Sequence, residues 1–284
     1  MKVENLRGVL LDIEGTTSPV SYVFDVLFPF ARRHAGDYLR DHWSESSCRH
    51  ALELMAKDAG FDSLEKWLAG SSCTGSPFAD SPFMGSPDTW NFEAAAIVLA
   101  EVERLMDGDI KATGLKELQG LIWKIGYGSG QLVSLVFEDV PVCIEAWRDA
   151  GLNVSIYSSG SVGAQKTFFA HTKCGDLTRK LVQYFDTTSG GKRDAQSYQT
   201  IAAALQIEPS QILFLSDIVA ELDAARAAGM KTALVLRDGN APQKNSGHPE
   251  IQSFQELELQ PDAQLDSEGR GNCSKTALAS ERSS

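Results

Sequence analysis

Two carboxylates separated by one residue close an apolar run near the start of the chain: Asp12 and Glu14 in GVLLDIEGTTSPV, residues 8–20. Along an extended strand residues i and i+2 project to one side, so the two acids point together while Ile13 turns inward. Two acids placed in this way share one task. Gly15 permits a tight turn with close backbone approach, and Thr16 and Thr17 add hydroxyls at the same edge. Taken alone, the motif could be a turn or a surface pair.

Three further groups follow in order. In IYSSGS, Ser158 and Ser159 come directly after an apolar run and Gly160 leads toward a helix. Hydroxyls and helix-start amides there make a phosphate cradle, although Ser159 could simply cap the helix. TTSGGKRD offers Lys192 on a glycine-rich loop, where an ammonium would neutralise a phosphate or stay solvated. LFLSDIVAELDAA ends a strand on Asp217 and sets Glu221 one helical turn later. A carboxylate pair there suits a hard cation such as magnesium, or merely a helix dipole.

The elements that must position these groups are legible in outline. Short apolar runs predict buried strands over Gly8–Ile13, Asn153–Tyr157, Gln211–Leu215 and Thr232–Leu236. Between the last three lie SVGAQKTFFAHT, DAQSYQTIAAALQ and DIVAELDAARAAG, with apolar residues at helical spacing. Alternating strands and helices predict an α/β fold, a parallel sheet with helices on both faces and its ligands beyond the carboxyl ends of the strands. Asp12, Ser158 and Asp217 all fall at such ends. The stretch between the first two strands is too long for a loop and is helical in pattern, which predicts an inserted all-helical cap broken by SSCTGSPFADSPFMGSPDTW. Trp43, Trp67, Trp90 and Trp123 lie within it and are expected to pack its core, although one facing the site would suit an apolar substrate tail. The expected division is an α/β core of residues 1–19 and 131–260, a cap of 20–130, and a disordered polar tail of 261–284.

Composition narrows the function classes. A net charge of −12 repels phosphate backbones and anionic lipid, arguing against nucleic-acid and membrane partners. No apolar run approaches the roughly 20 residues of a membrane-spanning helix, and the start lacks a leader pattern, so a cytoplasmic protein is expected. Cys48, Cys73, Cys143, Cys174 and Cys273 show no pairing pattern, as befits reduced thiols. His34, His42 and His50 lack metal-ligand spacing.

The ordered set Asp12-x-Glu14-Gly15-Thr16, Ser158, Lys192, and Asp217 with Glu221 resembles the four-motif signature of the haloacid dehalogenase superfamily of aspartyl-nucleophile phosphatases. More narrowly, LLDIEGTT, IYSSGS, FLSD with ELDAARAAGM, and LKELQGLIW followed by VFEDVP resemble the enolase-phosphatases over roughly residues 5–257. Most of the superfamily has Asp where this chain has Glu14.

The resemblance implies a Rossmann-like core with a helical cap and a monomeric, cytoplasmic enzyme, with the nucleus as a further compartment in a eukaryotic cell. It implies one magnesium per subunit on the Asp12 carboxylate, the Glu14 main-chain carbonyl and Asp217. Asp12 would be the nucleophile and Glu14 the acid and base. Ser158, Ser159 and Lys192 would bind substrate, and Gly15, Thr16, Gly160 and Glu221 would support them. The implied substrate is a small phosphorylated diketone, 2,3-diketo-5-methylthiopentyl 1-phosphate of methionine salvage, enolised and then dephosphorylated to an acireductone. The enolising base is not readable; Glu14 is a candidate. The segment VLRDGNAPQKNSGHP departs from the family pattern at Asp238, where Pro is frequent. Two other readings stay open, a plain magnesium phosphomonoesterase for another metabolite and a non-catalytic binding module. The intact acids and Lys192 argue against the module, and a dehalogenase would need neither Glu14 nor Asp217.

Overall fold

The computed structural model describes residues 1–71, 91–110, 112–243 and 246–262. Trp90, Cys73, Cys273, most of the serine- and proline-rich cap stretch and the tail from 263 onward lie outside the described residues. The strands are β1 (Lys2–Leu6), β2 (Gly8–Leu11), β3 (Asn153–Tyr157), β4 (Tyr184–Phe185), β5 (Ile212–Ser216), β6 (Lys231–Val235), β7 (Glu250–Ile251) and β8 (Glu258–Pro261). The helices are α1 (Phe28–His42), α2 (Ser46–Asp58), α3 (Leu64–Gly70), α4 (Phe92–Asp107), α5 (Thr113–Gly128), α6 (Asp139–Asp149), α7 (Val162–Ala170), α8 (Ala195–Leu205) and α9 (Val219–Ala227). Two units partition them: 1–20, 135–159 and 174–284 form one, 21–134 and 160–173 the other.

The first unit is built on a six-stranded sheet, β4-β3-β2-β5-β6-β7, in which every pairing is parallel. All four residues of β2 are buried, as a strand covered on both faces requires. In register, Leu11 of β2 lies between Ile156 of β3 and Leu215 of β5. The chain runs outward on one side through β3 and β4, then on the other through β5, β6 and β7. A crevice at the carboxyl ends of β2, β3 and β5 is therefore the topological switch point, where open parallel sheets hold ligands. Tyr157, Tyr198, Ile201, Phe214 and Leu222 fill the core on the α8 and α9 side.

β2 stops two residues before the predicted end. The Asp12 amide makes the last ladder bond, to the Leu215 carbonyl at 3.0 Å, and the Ile13 carbonyl is then taken by the amides of Thr16, Thr17 and Ser18 at 3.2, 2.9 and 2.9 Å. A carbonyl consumed by a turn cannot continue a strand. β5 and β6 are each offset by one residue from the expected spans. β1 pairs in parallel with β8, so ordered structure continues through Pro261, past the expected tail boundary at 261.

The second unit is helical. α2 and α5 pack closely at Gly114, where a Cβ would come within 2.6 Å of the Met55 Cα. Trp43 and Trp67 are buried, and the Trp123 indole donates to the Leu27 carbonyl at 2.8 Å, which satisfies its N–H. A π-helical turn at Tyr22–Leu27 leads into α1. The segment 160–173, expected within the α/β core, groups with these helices because its aromatics pack there. Tyr22 meets Phe168 at 5.9 Å between ring centroids, and Tyr127 meets His171 at 5.3 Å. Among the described residues no helix is long and apolar enough to cross a membrane.

Candidate active site

Asp12 is 2% exposed and its carboxylate is fixed from three directions. Oδ1 accepts the Ile13 amide at 2.7 Å and lies 2.6 Å from the Lys192 ammonium, while Oδ2 has a longer contact with the Ser216 hydroxyl at 3.4 Å. Lys192 also meets Glu221 at 2.7 Å, and Glu221 accepts from Ser216 at 2.9 Å. Buried Ser158 reaches Glu14 Oε2 at 3.4 Å. Direct contacts thus link Asp12, Lys192 and Glu221 in one set and Glu14 with Ser158 in another, both drawn from segments far apart in sequence.

Asp217 completes the group from the end of β5. Gly15 has φ +72°, and a Cβ there would lie 2.6 Å from the Asp217 Cγ and 2.9 Å from the Asn240 Oδ1. Only a glycine both adopts that backbone and leaves the space that the Asp217 carboxylate takes. Thr16 Oγ1 is buried without a partner among the described residues. Ser159 is not a helix cap: Ser161 caps α7, accepting the Ala164 amide at 3.3 Å. Gly160 begins the part of the chain that belongs to the helical unit, where its carbonyl accepts from Gln165 at 2.7 Å.

Four carboxylates surround one ammonium. Burial, then the charge of Asp12, raises the Glu14 carboxyl above the ordinary range, against the pull of Lys192 and Ser158. Burial, Asp12 and Glu221 push Asp217 to about 7, and burial followed by Asp12 pushes Glu221 to about 7. Burial alone would lower Lys192, but Asp12 and Glu221 together outweigh it and hold the ammonium charged. A buried excess of negative charge is costly unless protons or cations offset it. The group therefore favours one retained proton and one further cation.

Glu14, Asp217 and Glu221 are all raised above the ordinary carboxylate range by burial and by the charge of Asp12. Asp217 is where the cation fits, since its carboxylate makes no ion pair among the described residues. Among those residues no three His, Cys, Asp or Glu side chains have metal-ligating spacing. Magnesium does not need three, since it is held by one or two carboxylates and completes its shell with carbonyl, water and phosphate oxygens. The donor set of Asp12, Asp217 and the adjoining loop carbonyls fits such an ion.

Several contributors were not singled out in the sequence. Three hydroxyls fix three successive carbonyls of the Lys192 loop: Tyr157 to Gly190 at 2.8 Å, Ser197 to Gly191 at 2.8 Å and Tyr198 to Lys192 at 2.7 Å. Gly190, at φ +118°, is pressed against Ser197, and a Cβ would come 3.0 Å from the Ser197 Cβ. Arg237 donates to the Thr16 carbonyl at 3.3 Å and pairs with buried Asp139 at 2.9 Å, its guanidinium lying 4.3 Å from the Phe137 ring. Position at the end of a buried strand, as its last residue for Tyr157 and just beyond it for Arg237, was the one available signal for these two.

The family model described as haloacid dehalogenase-like hydrolase matches residues 6–229. Enolase-phosphatase E1 of Drosophila simulans is 42% identical over 235 residues, covering 83% of this chain and 85% of the fly protein. Enolase-phosphatase E1 of Synechococcus elongatus is 42% identical over 253 residues, covering 89% of this chain and 98% of its own. The crystal structure of the UTR4 protein of Saccharomyces cerevisiae superposes with a TM-score of 0.64 at 31% identity, covering 88% of this chain and 99% of that one.

Proposed function

Because the chain belongs to the haloacid dehalogenase-like hydrolases and, within them, to the enolase-phosphatases, we propose that it enolises 2,3-diketo-5-methylthiopentyl 1-phosphate and then removes the phosphate, giving the acireductone of methionine salvage. The observation that carries this reading is a buried Asp12 oriented by an amide and an ammonium, with a second carboxyl, Glu14, two residues along the same loop and reached by Ser158.

Asp12 is the nucleophile. Its Oδ1 is engaged by Ile13 and Lys192, which leaves Oδ2, with one long contact to Ser216, to attack phosphorus. A bond forms between Oδ2 and phosphorus as the bond from phosphorus to the substrate oxygen breaks, giving an aspartyl-phosphate. Glu14 gives its proton to the departing oxygen, then takes one from the water that attacks phosphorus and frees Asp12. A raised carboxyl pKa suits both tasks, because the group must be protonated in one step and ionised in the next. Lys192 has three N–H donors and uses two on Asp12 and Glu221, leaving one for a phosphate oxygen or a developing enolate. Ser158 and Ser159 line the same end of β3 and hold phosphate or substrate oxygens, and Thr16 offers a buried hydroxyl on the nucleophile loop. Asp12, the Glu14 carbonyl and Asp217 would hold one magnesium, which would supply the positive charge that lets one anion approach another. Glu221 supports this arrangement through Lys192. Glu14 is also the candidate base for enolisation.

The same reading makes the protein a monomeric cytoplasmic enzyme with neither nucleic acid nor membrane as partner. Its net charge of −12 and the absence of disulfides among Cys48, Cys143 and Cys174 support that.

The test follows both products at once. The diketo phosphate is supplied with magnesium and then with EDTA, under anaerobic conditions, while ultraviolet absorbance tracks the enol species and a colour assay tracks free phosphate. Both signals rising only with magnesium is the expected result. Phosphate without any enol species, or faster turnover of generic esters, would leave a plain phosphatase and remove the methionine-salvage assignment.

A further inference from the structure

The loop after β6 carries a polar group that the mechanism above leaves unused. Asn240 donates through Nδ2 to two backbone carbonyls, Gly15 at 2.9 Å and Val235 at 3.2 Å. Two acceptors on one side fix the orientation of an amide that could otherwise be flipped, so Oδ1 must face the other way. Oδ1 is buried and has no donor among the described residues. It lies on the Cβ side of Gly15, 2.9 Å from where that Cβ would be, beside the Asp217 carboxylate, whose Cγ is 2.6 Å from the same point.

A buried acceptor without a donor is rare in a folded protein and calls for a ligand or a water. Here it shares its pocket with the Asp217 carboxylate, which makes no ion pair among the described residues. A hydrated divalent cation meets both needs, because its positive charge suits the carboxylate and its waters are strong donors. The backbone holds Asn240 to this place. Its amide donates to the Arg237 carbonyl at 3.1 Å, closing a turn in which Gly239 takes φ +88°, and Arg237 reaches the next carbonyl of the nucleophile loop, that of Thr16. We propose that Asn240 is a positioning residue of the cation site, clamping the Gly15 carbonyl with its Nδ2 and accepting through Oδ1 a hydrogen bond from a water of the magnesium bound at Asp217. The inference rests on the reading of Asp217 as a magnesium ligand.

Calorimetric titration of the full-length protein with magnesium chloride, without substrate, tests it in four forms: wild type, Asn240→Leu, Asn240→Asp and Asp217→Asn. Asn240→Leu loses both donor and acceptor and should weaken magnesium binding at least tenfold. Asn240→Asp loses the donor and keeps an acceptor, so it should bind no more weakly than wild type. A residue that acted only as a backbone clamp would be weakened alike by both changes, and that result overturns the acceptor role. Unchanged binding by Asn240→Leu, with thermal melts showing it folded, also overturns it. Should the leucine variant not fold, the comparison of Asn240→Asp with wild type decides: weaker binding overturns the inference and equal or tighter binding supports it. If Asp217→Asn binds magnesium as wild type does, the cation reading fails and takes this inference with it. If Asp217→Asn is weakened and Asn240→Leu is not, the inference alone falls.

Discussion

Replacing Lys192 by Met would keep an apolar stem of similar length and delete a single ammonium. That ammonium lies 2.6 Å from Asp12 and 2.7 Å from Glu221, with 11% of its side chain exposed. Removing one partner of a buried pair strands the other, a loss of about 3–5 kcal/mol in stability. The stranded acids can answer by binding protons. Burial and Asp12 already raise Glu221 to about 7 while Lys192 pulls it down, so without Lys192 it rises further. Between the ordinary carboxylate range and the raised value, the folded chain holds a proton that the unfolded chain has released. Stability therefore falls as pH rises through that window, by about 1.4 kcal/mol per unit for each such proton. In the native protein the window closes near 7, whereas in the variant it extends above. The deficit of Lys192→Met relative to wild type should thus grow above pH 7 by about 1.4 kcal/mol per unit. Urea unfolding in EDTA at about pH 7 and about pH 8.5 reads this directly. An equal deficit at both values would refute the argument that the acids lean on this one cation.

Other consequences follow from the same geometry. Glu14→Gln should lower phosphate release by about 10²- to 10⁴-fold and abolish the alkaline limb of the pH–rate profile, which in wild type lies above the ordinary carboxylate range because burial and Asp12 hold the proton on; a persisting limb would assign the acid elsewhere. Gly15→Ala should destabilise the protein by about 1–3 kcal/mol, because its φ of +72° strains any other residue and the new Cβ would meet Asp217; a melting temperature equal to wild type would contradict it. Tyr198→Phe removes the donor to the Lys192 carbonyl at 2.7 Å and should cost about 1–3 kcal/mol, with kcat falling more than KM rises; unchanged kcat would show that the loop needs no such support.

What could be read in advance follows from how each feature is encoded. β2, β3 and β5 are covered on both faces and so are written as near-continuous apolar runs, visible without a structure. Asp12 and Asp217 stood out because a charge at the end of such a run is conspicuous. β4 and β7, two residues each, and β1, mostly exposed, leave no comparable trace. The strand boundary at Leu11 depended on turn bonds to the Ile13 carbonyl, which no periodicity reports. Tyr157 and Tyr198 read as plain core, since their rings are buried; their hydroxyl partners are carbonyls brought near by tertiary folding. α7 has the spacing of a helix between strands, yet its aromatic contacts place it with the helical unit. Glu221 looked like a partner for Asp217 from its spacing, but its contacts are with Lys192 and Ser216.

The central place of β2 in the sheet bears on how the chain is made. This strand leaves the ribosome well before its two neighbours, β3 and β5, the later of which ends at Ser216. At elongation rates of 5–20 residues per second, the interval is about 10–40 s. Through that time Val9-Leu10-Leu11 lacks at least one of its two lasting partner strands, while the larger, contiguous part of the helical unit, 21–134, precedes both of them. Asp12 therefore meets its contacts Lys192 and, through it, Glu221 only after much of the chain has been made.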